Sequence, residues 1–229
     1  MAIRDIKQLL KKGIDAYKQK RYDEALGFFS DIESRNRELP ENHYYLGLCY
    51  TSLQEYTKAA PFFAKVISAR KNPFHVLQAN MISGYIYTIL NEFQKAEEHF
   101  NSLLKMNFEN AQINAALGYI CNKRKQYEKS EFYLKKALTL DGANANANNS
   151  LGYNYLEWGK NIEQAGRFIK KALEQDENNP AYLDSMGWWY YLLGKFNLSR
   201  KYLTRAWSFD SKNQIIKEHL DTVRKRGTK

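Results

Sequence analysis

Residues 46–63 read LGLCYTSLQEYTKAAPFF, and their spacing decides the fold. Gly47 lies within a helical apolar pattern, Ala59 follows twelve positions later, and Phe63 follows after four more. This spacing predicts a helical hairpin, because a glycine that faces an alanine lets two backbones approach closely while the bulky residue one turn later fills the space below. Glycine within a helix costs about 1 kcal/mol relative to alanine, so its presence indicates such a contact.

The same spacing recurs along the whole chain. Six copies of this spacing occur, and their glycines are Gly13, Gly47, Gly84, Gly118, Gly152 and Gly187. Successive glycines are 34, 37, 34, 34 and 35 residues apart. Each is followed by a small residue and then by a bulky one, which are Phe29, Phe63, Phe100, Leu134, Ile169 and Leu203. In the fifth copy both are displaced by a one-residue insertion.

A period near 34 with this pattern resembles the tetratricopeptide repeat family, particularly its bacterial members. The family signature, Leu-Gly-x-x-Tyr followed by Ala-x-x-x-Phe, is seen as LGLCY…AAPFF in the second copy and more loosely in the fifth and sixth. The resemblance covers about residues 5–213. It implies an all-α fold, a right-handed α-solenoid of about six helix-turn-helix hairpins in a single domain, residues 1–229. The implied repeats are 5–39, 40–75, 76–110, 111–144, 145–179 and 180–213, with a capping helix at about 214–226.

Composition and motifs exclude several classes of protein. The chain is 44% hydrophobic, so it can bury a large core, but it has no apolar run of the length that a membrane span needs. Its charged start predicts a cytoplasmic protein, with a removed leader left open as the alternative. The sequence contains no phosphate loop, nucleophile elbow or zinc motif. Cys49 and Cys121 lie in apolar helical patterns, so we predict that both are buried free thiols. We therefore predict no enzyme, no cofactor and no metal site.

In a repeat of this family the first helix lines the concave face, and the residue after each glycine should point into the groove. These positions give aromatic residues in four consecutive copies. With their neighbours on the same helical stripe, the predicted groove residues are Tyr44, Leu48, Met81, Tyr85, Tyr119, Asn122, Asn149, Tyr153, Trp188 and Tyr191. The alternative is that the rings only fill the groove, and this applies most to Trp188 and Tyr191, which lie near the capping helix.

The asparagines beside these rings can be interpreted in two ways, as peptide-binding residues or as surface residues. Asn114 and Asn148 could bind the backbone of a peptide, as could Asn122 and Asn149, but for any one of them a plain surface position is favoured. Chaperone-binding members of the family bind a C-terminal carboxylate with Lys, Arg and Asn side chains. The corresponding positions of this chain are occupied by Leu10, Ile14, Tyr45, Gln78 and Ile82, so we predict that this carboxylate site is absent.

The leading hypothesis is a non-catalytic scaffold that holds a peptide or helix of another protein in a concave, aromatic-lined groove. In bacteria, many family members support secretion, envelope assembly or pilus formation. The alternative is nucleic-acid or anionic-surface binding through the basic C-terminal end, since residues 178–229 carry ten Lys/Arg against four Asp/Glu in a chain of net charge +10. That cluster is Lys212, Lys217, Arg224, Lys225, Arg226 and Lys229. Nucleic acid is the less favoured partner, and self-association stays open.

Overall fold

Helices account for nearly all of the chain that the computed structural model describes, which is residues 3–35 and 39–226, with backbone only at 3 and 4. These residues form thirteen α-helices and no strand. The helices are α1 (Ile3–Lys18), α2 (Tyr22–Ser34), α3 (Pro40–Ser52), α4 (Tyr56–Ala69), α5 (Pro73–Ile89), α6 (Phe93–Lys105), α7 (Ala111–Lys123), α8 (Tyr127–Leu140), α9 (Ala145–Trp158), α10 (Ile162–Gln175), α11 (Pro180–Leu192), α12 (Phe196–Phe209) and α13 (Gln214–Arg226). The predicted fold class, an all-α helical-repeat solenoid, is confirmed.

The helices group into two units, Met1–Phe108 and Glu109–Lys229. The first contains the hairpins α1–α2, α3–α4 and α5–α6, and the second contains α7–α8, α9–α10 and α11–α12, followed by α13. Within each unit every hairpin packs against the next one along the chain. The single domain expected over residues 1–229 stays a prediction.

The repeat glycines lie where the spacing placed them, against the bulky residue of the second helix. A Cβ built on Gly47 would lie 2.8 Å from two ring carbons of Phe63, and one on Gly118 would lie 2.4 Å from Cγ of Leu134. In all six hairpins the obstructing side chain is the predicted bulky residue. The close approach of the two helices therefore depends on the missing side chain.

From the third hairpin onward, an asparagine caps the first helix of each hairpin. The side-chain oxygen of Asn110 accepts a hydrogen bond of 2.8 Å from the backbone N–H of Ile113, satisfying a donor that has no partner within the helix. The asparagines that cap first helices and α13 in this way are Asn72, Asn110, Asn144, Asn179 and Asn213. They follow the same period as the glycines and fix where each hairpin starts.

Helix α13 covers the last hairpin of the second unit. Its residues Ile216, Leu220 and Val223 are buried against α11 and α12. All four tryptophans of the sequence also lie in this unit, at Trp158, Trp188, Trp189 and Trp207. The indole N–H of Trp189 donates to the carbonyl of Ile162 at 2.8 Å, which fixes α11 to the fifth repeat.

Candidate functional site

The first helices of residues 109–229 form a pocket of about 180 Å³ with the start of α13. We call it the tyrosine pocket, and the lining residues that matter below are Tyr119, Asn122, Asn149, Tyr153, Asp184 and Ile216. Four of the predicted groove residues, Tyr119, Asn122, Asn149 and Tyr153, are thus brought together by α7 and α9. The pocket arises because the residue after each glycine points away from the second helix.

The two tyrosines give the pocket its apolar surface. The Tyr119 side chain is 37% exposed, and Nζ of Lys123 lies 5.4 Å from the centre of its ring. Burial raises the pKa of both phenols, and the nearby charges of Glu157 and Asp184 raise that of Tyr153 further. Both hydroxyls are therefore neutral at physiological pH, but that of Tyr153 is already hydrogen-bonded to Glu157, which leaves the Tyr119 hydroxyl to donate to a ligand.

The two amides differ in what they can offer a ligand. Nδ2 of Asn122 donates to Oδ1 of Asn154 at 3.0 Å, so this side chain is held by its neighbour repeat. Oδ1 of Asn149 is buried and accepts no hydrogen bond from any of the residues that the structure describes. A buried acceptor without a donor costs free energy, so a ligand N–H that reaches it is favoured.

Trp188 and Tyr191 are half-buried, and α13 packs beside them. The ring of His219 stacks on Trp188 with centroids 4.2 Å apart, and Trp188 stacks on Tyr191 at 4.7 Å. His219 Nδ1 also donates to Oδ1 of Asp184 at 2.9 Å. These contacts favour the alternative given for the two residues, in which their rings pack against the capping helix.

Among residues 3–35 and 39–108, the predicted groove residues differ in exposure. Tyr44 is only 6% exposed, its ring stacks on His75 at 4.1 Å, and its hydroxyl donates to the side chain of Gln78. The expectation that Tyr44 faces the groove is therefore corrected, since the ring lies within the core between α3 and α5. Tyr85 is 39% exposed with its ring edge on Phe100. The remaining two, Leu48 and Met81, are half-buried.

Asn114 and Asn148 are structural, not surface residues as favoured from the sequence. Both are buried, and each donates from Nδ2 to the carbonyl four residues earlier, at 3.0 Å. Asn80 does the same in α5 at 2.9 Å. All three lie four residues before a repeat glycine, and this common register was the signal in the sequence that marks them as buried.

The basic residues near the C-terminus are exposed and are divided between the two ends of α13. Lys212 and Lys217 lie at the start of α13, and Arg224, Lys225 and Arg226 lie at its end. Arg224 has a carboxylate partner, Asp221, at 3.7 Å. The remaining member of the predicted cluster, Lys229, lies outside the described residues.

The described part of the chain offers little for metal or membrane chemistry. It contains no group of three or more His, Cys, Asp or Glu residues placed to hold a metal ion. None of its helices combines the length and the apolar character that a membrane crossing requires. Both cysteines are buried as free thiols, and burial raises the pKa of Cys49 to about 12.

Comparison with solved structures shows the same fold in several proteins. PilW, a widely conserved type IV pilus biogenesis factor, matches with a TM-score of 0.70 at 17% identity, over 97% of this chain and 99% of that one. A tetratricopeptide repeat protein from Parabacteroides merdae matches with 0.69 at 19%, over 96% and 84%. YrrB, a TPR protein with an unusual peptide-binding site, matches with 0.56 at 18%, over 83% and 96%. At these identities the likeness extends to the fold alone.

Family assignment rests on the sequence itself. No curated protein matches this chain. Two family models described as tetratricopeptide repeat match it, one over residues 10–75 and the other over residues 77–110 and 111–144. Because these matches cover more than half of its length, the chain belongs to the tetratricopeptide repeat family, whose repeats serve in general as non-catalytic scaffolds for contacts between proteins.

Proposed function

We propose that this chain is a non-catalytic scaffold that holds a peptide or helix of a partner protein in the tyrosine pocket. The observation that carries the proposal is the pocket itself, where Tyr119 and Tyr153 lie beside the amides of Asn122 and Asn149. Tyrosine suits a docking surface because it offers a large contact area with few rotatable bonds.

The polar groups of the pocket suit a peptide main chain. Oδ1 of Asn149 lacks a donor, and the Tyr119 phenol is a neutral donor, so an N–H and a C=O group of an incoming backbone each find a partner. The rings of Tyr119 and Tyr153 then cover apolar side chains of the same segment. A peptide is also the kind of ligand named for YrrB, which shares the fold.

A scaffold accounts for the pocket better than an enzyme does. Its polar atoms are mostly amides and hydroxyls, and the carboxylate of Asp184 is engaged by His219. The pocket thus has the groups for holding a segment of protein.

The test is selection of binding peptides from a random display library, followed by calorimetric titration of the selected peptides. We expect Tyr119→Ala to weaken binding by at least about tenfold, since truncating an aromatic hot-spot residue costs about 2 kcal/mol or more. Phe132→Ala is the matched control, because Phe132 is 61% exposed on α8 and does not line the pocket.

Two results would count against the proposal. Peptides whose affinity is equally insensitive to Tyr119→Ala and to Phe132→Ala would show that the pocket is not the binding site. Binding that disappears in high salt with a steep salt dependence would indicate charge-driven contacts, whereas apolar contact with the tyrosines should persist. Circular dichroism of each variant establishes that both remain folded.

A further inference from the structure

The turn between α11 and α12 meets the end of α13 in a shallow depression. The part of its lining used here consists of Gly194, Lys195, Phe196, Leu198, Arg200 and Arg226. We call residues 192–200 together with Arg226 the basic tip. The basic tip shares no lining residue with the tyrosine pocket.

The positive charge of the basic tip is not balanced locally. Between Ser185 and Phe209 the sequence contains four basic residues and no Asp or Glu. Within the described chain, no carboxylate forms an ion pair with Lys195, Arg200 or Arg226, and all three are exposed. The guanidinium of Arg226 instead lies 5.7 Å from the ring centre of Tyr191. Helix α12 begins here without a side-chain cap, which adds partial positive charge from its free N–H groups.

Leucines are exposed among these cations. Leu192, Leu193 and Leu198 are 43%, 37% and 40% exposed, respectively. Leu192 and Leu193 stand at the end of α11 and Leu198 in the first turn of α12, so all three flank the turn that carries Lys195. None of them belongs to the buried clusters that α13 forms with α11 and α12.

We propose that the basic tip binds the surface of an anionic lipid bilayer. Cations attract the negatively charged headgroups, and leucines at the same place enter the boundary between headgroups and acyl chains. Nucleic acid would satisfy the charges but would leave the leucines without a role, because phosphate contacts are made by polar groups. The tip contains no segment that crosses the bilayer, so the attachment is peripheral and reversible.

The experiment measures co-sedimentation of the full chain with vesicles of phosphatidylcholine alone and with vesicles containing three parts in ten of phosphatidylglycerol. We expect binding to the anionic vesicles only. Neutralising two cations in Lys195→Gln/Arg200→Gln should lower the partition coefficient about 25-fold, at about fivefold per charge. The control Lys11→Gln/Lys12→Gln removes the same number of charges, at exposed positions of α1. Its partition coefficient, measured over a series of salt concentrations, should stay within twofold of that of the wild type.

A second pair of variants tests the leucines. Leu198→Gln should weaken vesicle binding several-fold, whereas Leu140→Gln, which alters a leucine that is 52% exposed at the end of α8, should not. Equal binding to neutral vesicles, no binding to either kind, or equal loss in the tip and control variants would overturn the proposal. So would tighter binding to a single-stranded oligonucleotide that Leu198→Gln leaves unchanged, or self-association that the tip variants abolish without any vesicle binding. Tyr119→Ala should leave vesicle binding intact, so this proposal and the proposed function fail separately.

Discussion

The same substitution, glycine to alanine, should stabilise the chain at Gly27 but not at Gly47. Both residues lie inside helices of residues 1–108, and in both the added methyl group improves helix propensity by about 1 kcal/mol. Nothing lies within 4 Å of a Cβ built on Gly27, whereas a Cβ on Gly47 would lie 2.8 Å from two ring carbons of Phe63. Because the propensity contribution is common to both variants, their difference isolates the contact.

The size of that difference follows from the geometry. Carbon atoms in contact are normally about 3.5–4.0 Å apart, so the Phe63 ring must retreat by about 0.7 Å or more. Phe63 is fully buried among Tyr44, Ala59 and Val66, which leaves it little room to do so. Overpacking of this kind costs about 1–3 kcal/mol. Gly27→Ala should therefore raise the free energy of unfolding by about 1 kcal/mol over the wild type. The free energy of unfolding of Gly47→Ala should lie about 1–3 kcal/mol below that of Gly27→Ala.

Urea titration followed by far-ultraviolet circular dichroism measures both variants and the wild type under identical conditions. Amide hydrogen exchange of residues 40–69 shows whether the loss is local to the α3–α4 hairpin, as expected for repeats whose stability is largely set by neighbouring contacts. If Gly47→Ala proves as stable as Gly27→Ala, the glycine is not required for the close approach of the helices. The physical explanation of the 34-residue spacing would then be incorrect.

Three further outcomes are expected. His219→Ala should leave the buried carboxylate of Asp184 without its partner and remove the ring that stacks on Trp188, at a cost of about 2 kcal/mol. Amide exchange in α13 should therefore accelerate about 30-fold, and unchanged exchange would contradict this. Burial raises the pKa of Tyr44 to about 12 from an ordinary value near 10. Its contribution to stability is therefore complete below about pH 10 and is lost as the pH rises through 12. Denaturation at several alkaline pH values should show that the free energy of unfolding decreases less in Tyr44→Phe than in the wild type. An acidic C-terminal peptide of the kind that chaperone-binding relatives grip should show no micromolar binding by calorimetry, because the charged slots are absent and Gln78, in one of them, accepts a hydrogen bond from Tyr44.

The hairpins could be predicted from the sequence because their determining contacts are close along the chain. Gly47 and Phe63 are separated by sixteen residues, and their contact depends only on a short turn between two helices. Six copies in register made the pattern unambiguous. The asparagine caps could also have been recognised, since Asn110 and Asn144 repeat at the same period directly before first helices.

The exposure of the groove residues was harder to predict, because it depends on neighbouring repeats. Helical periodicity gives the direction of a side chain from its own helix. It does not say what lies opposite. Trp188 is covered by His219, which is 31 residues later in a helix outside the repeat pattern, and Tyr44 is covered by His75. Tyr119 and Tyr153 stay accessible because no comparable ring lies over them in the second unit.

The uneven placement of the four tryptophans has a practical consequence for spectroscopy. Since Trp158, Trp188, Trp189 and Trp207 all lie in residues 109–229, intrinsic fluorescence excited at the indole band reports on that half of the chain alone. Emission changes during unfolding, or on addition of a ligand, can therefore be assigned to the second unit without introducing a label. Any denaturation transition that is visible to the peptide backbone but silent in this emission belongs to the first three hairpins.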